Sequence, residues 1–338
     1  MKAKKFSFRE LFIAYGIYLV LVALILLFFF LRPNIFLSPQ NIINILRQVA
    51  VVGIVAAGMT CVIISGGIDL SVGSTVGLVG VLLALFISPE RGWGLGIPIG
   101  LLVALLSGIM LGLGNGFVIN KLKLPPIIAT LGAMITLRGV AFLITDGRPI
   151  FGFPSGFDFI GQGHIWLIPV PVIIMAVVFA VTYIILTKCR IGRYIYGIGG
   201  NEEASRLSGV NVKKVKYFVY TYSGICCAIA GIVLLSRTNS GTPRAGTGYE
   251  MDIITAVVLG GVSIKGGEGR LLGVIAGVLI MGVLANGMIV VGLSAFTQQV
   301  VQGLVLIAAV AFDIYAKQSG QSGNKISDTP ALDGAEKQ

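Results

Sequence analysis

Long uncharged apolar stretches alternate with short polar ones along almost the whole chain. Apolar runs cover 11–31, 42–64, 70–87, 95–119, 125–145, 165–187, 214–235, 252–264, 271–291 and 294–316. A hydrocarbon core about 30 Å thick takes about 20 helical residues, so the pattern predicts about ten spans. The 252–264 run is too short for one straight crossing. It is expected as a broken or re-entrant helix, whose backbone ends need protein or a water-filled cavity as cover. The glycine-rich stretch after Ser65 interrupts the pattern in a similar way. The expected fold is therefore all-α: a polytopic transmembrane helical bundle over 1–316, including short or broken helices. Residues 317–338 read as a polar, disordered tail.

Composition strengthens this picture. Of 338 residues, 56% are hydrophobic and only 12% charged, about half the charged share of a soluble domain. A secreted disulfide scaffold, a disordered chain and an ordinary cytosolic enzyme are excluded. The opening Met1-Lys2-Ala3-Lys4-Lys5 is like the start of a signal peptide. The apolar run behind it is too long for one and no small-x-small cleavage site follows, so an uncleaved anchor is expected.

The net charge of +11 would suit nucleic acid, but its distribution does not. With ten alternating spans, eighteen of the 25 Lys and Arg fall on the side of the N-terminus and five on the other, while Arg47 and Arg138 lie within spans. This bias predicts both termini in the cytoplasm. Cys61, Cys189, Cys226 and Cys227 lack metal-site spacing and read as structural thiols. His164, in a polar loop, has no evident chemical role.

Short motifs hint at an internal repeat. Gly66-Gly67-Ile68-Asp69-Leu70-Ser71-Val72-Gly73 is similar to Gly260-Gly261-Val262-Ser263-Ile264-Lys265-Gly266-Gly267, and Asn115-Gly116-Phe117-Val118 to Asn286-Gly287-Met288-Ile289. Repeated halves are common in transporters.

No enzyme constellation is present, and GxxxxGK[ST] is absent, so no P-loop can cradle a nucleotide. Intramembrane charge is scarce. Arg47 and Arg138 are expected to snorkel or to meet helix C-terminal carbonyls, while Asp69, Asp252 and Asp313 lie near span ends. Polar groups offer a pathway for an uncharged solute: the neutral Thr60, Ser65, Asn115, Thr130, Asn286, Gln298 and Gln302, together with Asp69, are the candidates. Thr136 and Gln299 are further polar positions. Such residues also glue helices together.

The longest basic loop, 188–216, contains a short helical signal. Asn201 can cap it, Glu202 and Glu203 suit its positive end, and Gly209 can end it. A solvated connector and a docking element for a cytoplasmic partner both fit.

Five ordered blocks carry a resemblance. They are Gly58-Met59-Thr60 with Gly66-Gly67-Ile68-Asp69-Leu70-Ser71-Val72-Gly73-Ser74, then Pro126-Ile127-Ile128-Ala129-Thr130-Leu131-Gly132, and Gly147-Arg148-Pro149-Ile150. The loop Gly200-Asn201-Glu202-Glu203-Ala204-Ser205 and the run from Leu259-Gly260-Gly261 to Arg270 complete them. Over roughly 40–315 the chain resembles the inner-membrane permease subunits of bacterial ABC sugar importers, the ribose/arabinose/xylose/galactose group. The resemblance implies a non-enzymatic subunit that translocates a monosaccharide or similar polyol and sits in the inner membrane with a second permease subunit, identical or paralogous. It further implies ATP-binding subunits inside, which bind ATP and Mg so that this chain carries no cofactor, and a periplasmic or lipid-anchored sugar-binding protein outside. Nucleic acid is not a partner. Gly200, Asn201, Glu202, Glu203, Ala204, Ser205, Leu207 and Gly209 match the family's coupling helix to the ATPase. A branched-chain amino-acid permease and a stand-alone secondary transporter are the alternatives.

Overall fold

The computed structural model describes residues 8–324. It is a helical bundle: α1 (Phe8–Leu31), α2 (Pro39–Ile64), α3 (Val72–Ile87), α4 (Ile97–Lys121), α5 (Pro126–Thr145), α6 (Asp158–Gln162), α7 (Val170–Thr187), α8 (Arg190–Gly200), α9 (Glu202–Leu207), α10 (Val212–Thr238), α11 (Tyr249–Leu259), α12 (Leu271–Val291) and α13 (Ala295–Asn324). Strands β1 (His164–Ile165) and β2 (Ile168–Pro169) form a small antiparallel hairpin before α7. Among the described residues, α2, α4, α5, α7, α10 and α12 are each long and apolar enough to cross a membrane.

The hydropathy pattern and the helices agree closely, with three instructive differences. The run expected from 165 starts as the hairpin and turns helical only at Val170, where the prolines 169 and 171 suit a first turn that needs no N–H. The short 252–264 run is the eleven-residue α11, flanked by irregular segments at 239–248 and 260–270. Helix α13 continues through 317–324, part of the expected tail, and 325–338 lie outside the described residues.

Two long helices form the centre. In their most apolar windows α2 is 83% buried and α10 78%, whereas α5 is 17% buried and presents Ile127, Ile128, Ile135 and Leu143 outward. Such an apolar exterior is what lipid covers. Helix α10 lies against α2, α3 and α4, and α11 and α12 pack on α2. Close approach of α4 to α10 depends on small residues: a Cβ on Gly224 would meet the Gly108 carbonyl, and one on Gly112 the Tyr220 carbonyl. Van der Waals fit of this kind drives association where lipid removes the hydrophobic incentive.

Two sets of four helices, α2–α5 and α10–α13, follow one another in like order. The glycine motifs, however, are not equivalent positions in them. Residues 66–73 lead into α3, the second helix of its set, while 260–267 lead into α12, the third of its own. They are spatial neighbours instead: Gly267 N–H donates to the Ile64 carbonyl at 2.8 Å.

Candidate functional site

Helices α8 and α9 form an arm with one foot in the core. Gly192, Ile195 and Ile198 give α8 a buried face. At its end the backbone of Gly199 lies directly on both irregular breaks. A Cβ there would fall well under 3.0 Å from the Ile64 oxygen and the Gly267 nitrogen. Tyr196 Oη donates to Gly269 O at 2.9 Å, and burial pushes its phenol pKa up. The end of α8 thus touches the segments after α2 and before α12 at one point.

Beyond Gly200 the chain leaves the core. Asn201 Oδ1 accepts the Ala204 N–H at 2.9 Å, capping α9. Glu203 pairs with Arg206 at 2.6 Å and Glu202 with Lys216 of α10 at 2.9 Å. Gly209, with φ of +84°, ends the helix, and Val210 N–H returns to Ser205 O at 3.1 Å. No residue of α9 is buried, and the apolar Leu207 is 78% exposed. The result is a capped, exposed helix with an outward leucine, joined to the core through α8.

Near the end of α8, a polar knot holds the first break. Asp69 is buried between α3, α4 and α10. Its Oδ1 accepts from the Ser71 N–H at 3.0 Å and Ser71 Oγ at 2.6 Å, and its Oδ2 from Ser223 Oγ at 3.2 Å. Asn115 Nδ2 donates to Ser71 Oγ at 2.8 Å. Thr130 Oγ1 accepts the Leu70 N–H at 3.1 Å. Donors surround this carboxylate, so it pins the backbone where α2 gives way to α3. Burying a carboxylate needs this degree of satisfaction.

The remaining pathway candidates separate. Thr60 and Ser65 donate to Ala56 O and Val62 O of their own helix, at 2.6 and 2.7 Å. Asn286 exchanges amide hydrogen bonds with Asn41 at 2.9 and 3.0 Å, riveting α12 to α2. Gln302 Nε2 reaches Asp252 Oδ2 at 3.4 Å, linking α13 to α11, while Gln298 turns back to Leu293 O. Thus Asp69, Asn115 and Thr130 come together, and the others sit in separate helix contacts. The side chain of Asp313 lies outside the described residues.

Both intramembrane arginines meet carbonyls. Arg138 Nη1 donates to Pro243 O at 2.8 Å and Ala245 O at 2.6 Å, which fastens the segment before α11. Arg47 Nη2 donates to the carbonyl of Gln162, the last residue of α6. Cys61, Cys226 and Cys227 are buried thiols. Sequence reasoning missed Ser71, Ser223 and Asn41, whose signal was only a polar residue in or beside an apolar run. The four-residue spacing of Gly108, Gly112 and Gly116 is a small-residue signal that sequence reasoning also missed.

The family model described as branched-chain amino acid transport system / permease component matches residues 41–310. The chain is similar to the ribose import permease protein RbsC of Haemophilus influenzae, 46% identical over 302 residues, covering 88% of this chain and 92% of that one. It is 43% identical to the Bacillus subtilis ribose import permease protein RbsC over 300 residues, with 88% and 92% covered. With the L-arabinose transport system permease protein AraH of Escherichia coli the identity is 39% over 314 residues, covering 93% and 94%. No solved structure matches the chain.

Proposed function

This chain belongs to the family of transport-system permease components, and from that premise we propose that it is the membrane-spanning subunit of an ATP-driven importer for a pentose. It makes and breaks no bond in its cargo. The observation that carries the reading is the exposed α9 whose lever, α8, rests through Gly199 on both helix breaks. In this reading α9 faces the cytoplasm, on the side of eighteen of the 25 Lys and Arg. A separate ATPase docks on it, and two permease subunits enclose the path. A binding protein delivers the sugar from the other side. Closure of the ATPase pair presses α9, α8 turns against 65–71 and 260–270, and the short helices α3 and α11 tilt with them.

The family description mentions branched-chain amino acids, but RbsC and AraH, matched over nine-tenths of their lengths, are named for ribose and arabinose. That favours the sugar. A stand-alone secondary transporter is not favoured.

Reconstitution of the chain with its ATPase and binding protein tests the reading. Ribose or arabinose should stimulate ATP hydrolysis through the binding protein and accumulate in the vesicles. Accumulation by the permease alone, or stimulation by leucine instead of pentoses, would overturn it.

A further inference from the structure

At the far end of α2 from the lever lies a cavity of about 330 Å³ lined by Asn44, Arg47, Gln48, Gln162 and Arg237. Arg47 stands seventeen residues before Ile64, about 25 Å along the helix at 1.5 Å per residue. Every lining side chain is polar and none is a carboxylate, in a protein that is 56% hydrophobic.

The wall is built. Arg47 Nη2 donates to the Gln162 carbonyl and stands 3.3 Å from His164 Nε2 of the hairpin. Gln162 Nε2 donates to Arg237 O at 3.1 Å. Ser236 Oγ accepts the Gly161 N–H at 2.7 Å and donates to Phe157 O at 2.6 Å. These bonds clamp α6 to the end of α10 at the wall of the cavity.

What remains unpaired points to the occupant. Arg47 Nε is buried with no partner, which leaves a desolvated donor uncompensated. The exposed Asn44 amide and the half-buried Gln48 amide have no protein partner among the described residues and are open to whatever fills the cavity. The wall therefore offers guanidinium donors together with amides that both donate and accept. A simple anion only accepts and would leave the amide carbonyls facing charge of their own sign. A hydroxyl donates and accepts at once, and neighbouring hydroxyls answer such a mixed wall. The volume is at the low end of the roughly 300–1,000 Å³ of small-molecule sites, generous for an ion and suited to a monosaccharide with some water.

We infer that this cavity is a polyol-binding subsite within the permease, where the sugar exchanges part of its hydration shell before it reaches the breaks. The inference rests on the sugar-import reading and adds to it a place in this chain that touches the cargo.

The test uses the full-length permease in lipid nanodiscs carrying Asn44→Cys, with the half-buried Cys189 replaced through Cys189→Ser. Alkylation of the introduced thiol by a maleimide should slow several-fold with millimolar D-ribose or L-arabinose and stay unchanged with inorganic phosphate. Adding Gln48→Leu should abolish the protection while the elution profile and melting temperature are kept. Alkylation indifferent to the pentoses, protection by phosphate in their place, or full protection persisting in the Gln48→Leu variant would each overturn the subsite. Vesicle uptake of pentose without protection defeats the subsite alone. Protection in a transporter that moves no pentose defeats the import reading alone.

Discussion

Adjacent glycines at the end of α8 should respond oppositely to the same substitution. In Gly199→Ala the new methyl would sit well under 3.0 Å from the Ile64 oxygen and the Gly267 nitrogen, and 2.9 Å from the Ile64 carbonyl carbon. All three are backbone atoms, so no side chain can swing away, and segments must part by on the order of an ångström to reach ordinary contact. Overpacking of this kind costs about 1–3 kcal/mol. The 2.8 Å bond from Gly267 N–H to Ile64 O crosses the same point, and its loss adds about 1 kcal/mol. In Gly200→Ala nothing lies within 4 Å, and alanine is the better helix former by up to about 1 kcal/mol. The assay is ATP hydrolysis by the reconstituted importer, with and without sugar-loaded binding protein, beside the melting temperature of the purified permease. Gly199→Ala should lower the melting temperature and lose most stimulation, whereas Gly200→Ala should keep the parent's stimulation and melt slightly above it. Full stimulation in Gly199→Ala would refute the lever, because its contact with the breaks would then be dispensable.

Other outcomes follow from the same geometry. Leu207→Asp and Glu203→Lys alter exposed positions of α9, where an ion pair contributes at most about 1 kcal/mol, so uptake should collapse with the melting temperature unchanged. Unimpaired uptake in both would remove α9 from the docking role. Asp69→Asn replaces an acceptor surrounded by donors with an amide, so thermal stability should fall by about 1–3 kcal/mol, while Ser223→Ala, losing one 3.2 Å bond, should cost less. Equal melting points for Asp69→Asn and the parent would contradict the pin. Asn286→Leu leaves Asn41 Oδ1 without its donor while Asn41 Nδ2 keeps the Phe36 carbonyl, whereas adding Asn41→Leu removes that oxygen as well. A double-mutant cycle should give a coupling of about 0.6–2 kcal/mol, and strict additivity would show that the pair is not formed.

How much of this was legible in one dimension depended on the kind of signal. Span positions were legible because 1.5 Å of rise per residue and a fixed core thickness tie helix length to hydropathy. So was α9, because Asn201, Glu202, Glu203 and Gly209 satisfy the ends of one short helix using neighbours alone. The polar candidates inside the spans were recognisable as unusual but not as partners. Asn115 turned out to brace Ser71 beside Asp69, and Asn286 to meet Asn41, some 245 residues away.

The chain's own order of residues determined that it would be a lipid-embedded bundle with two glycine breaks and a protruding basic arm. Only the tertiary structure decided that both breaks meet beneath Gly199, that Arg47 and Arg237 share one polar cavity, and that Asp69 is consumed by donors. The reason is physical. Every span is equally at home in hydrocarbon, so hydropathy cannot say which helices touch. That choice falls to small-residue fit and to hydrogen bonds between residues far apart in sequence, and these exist only once the helices have assembled.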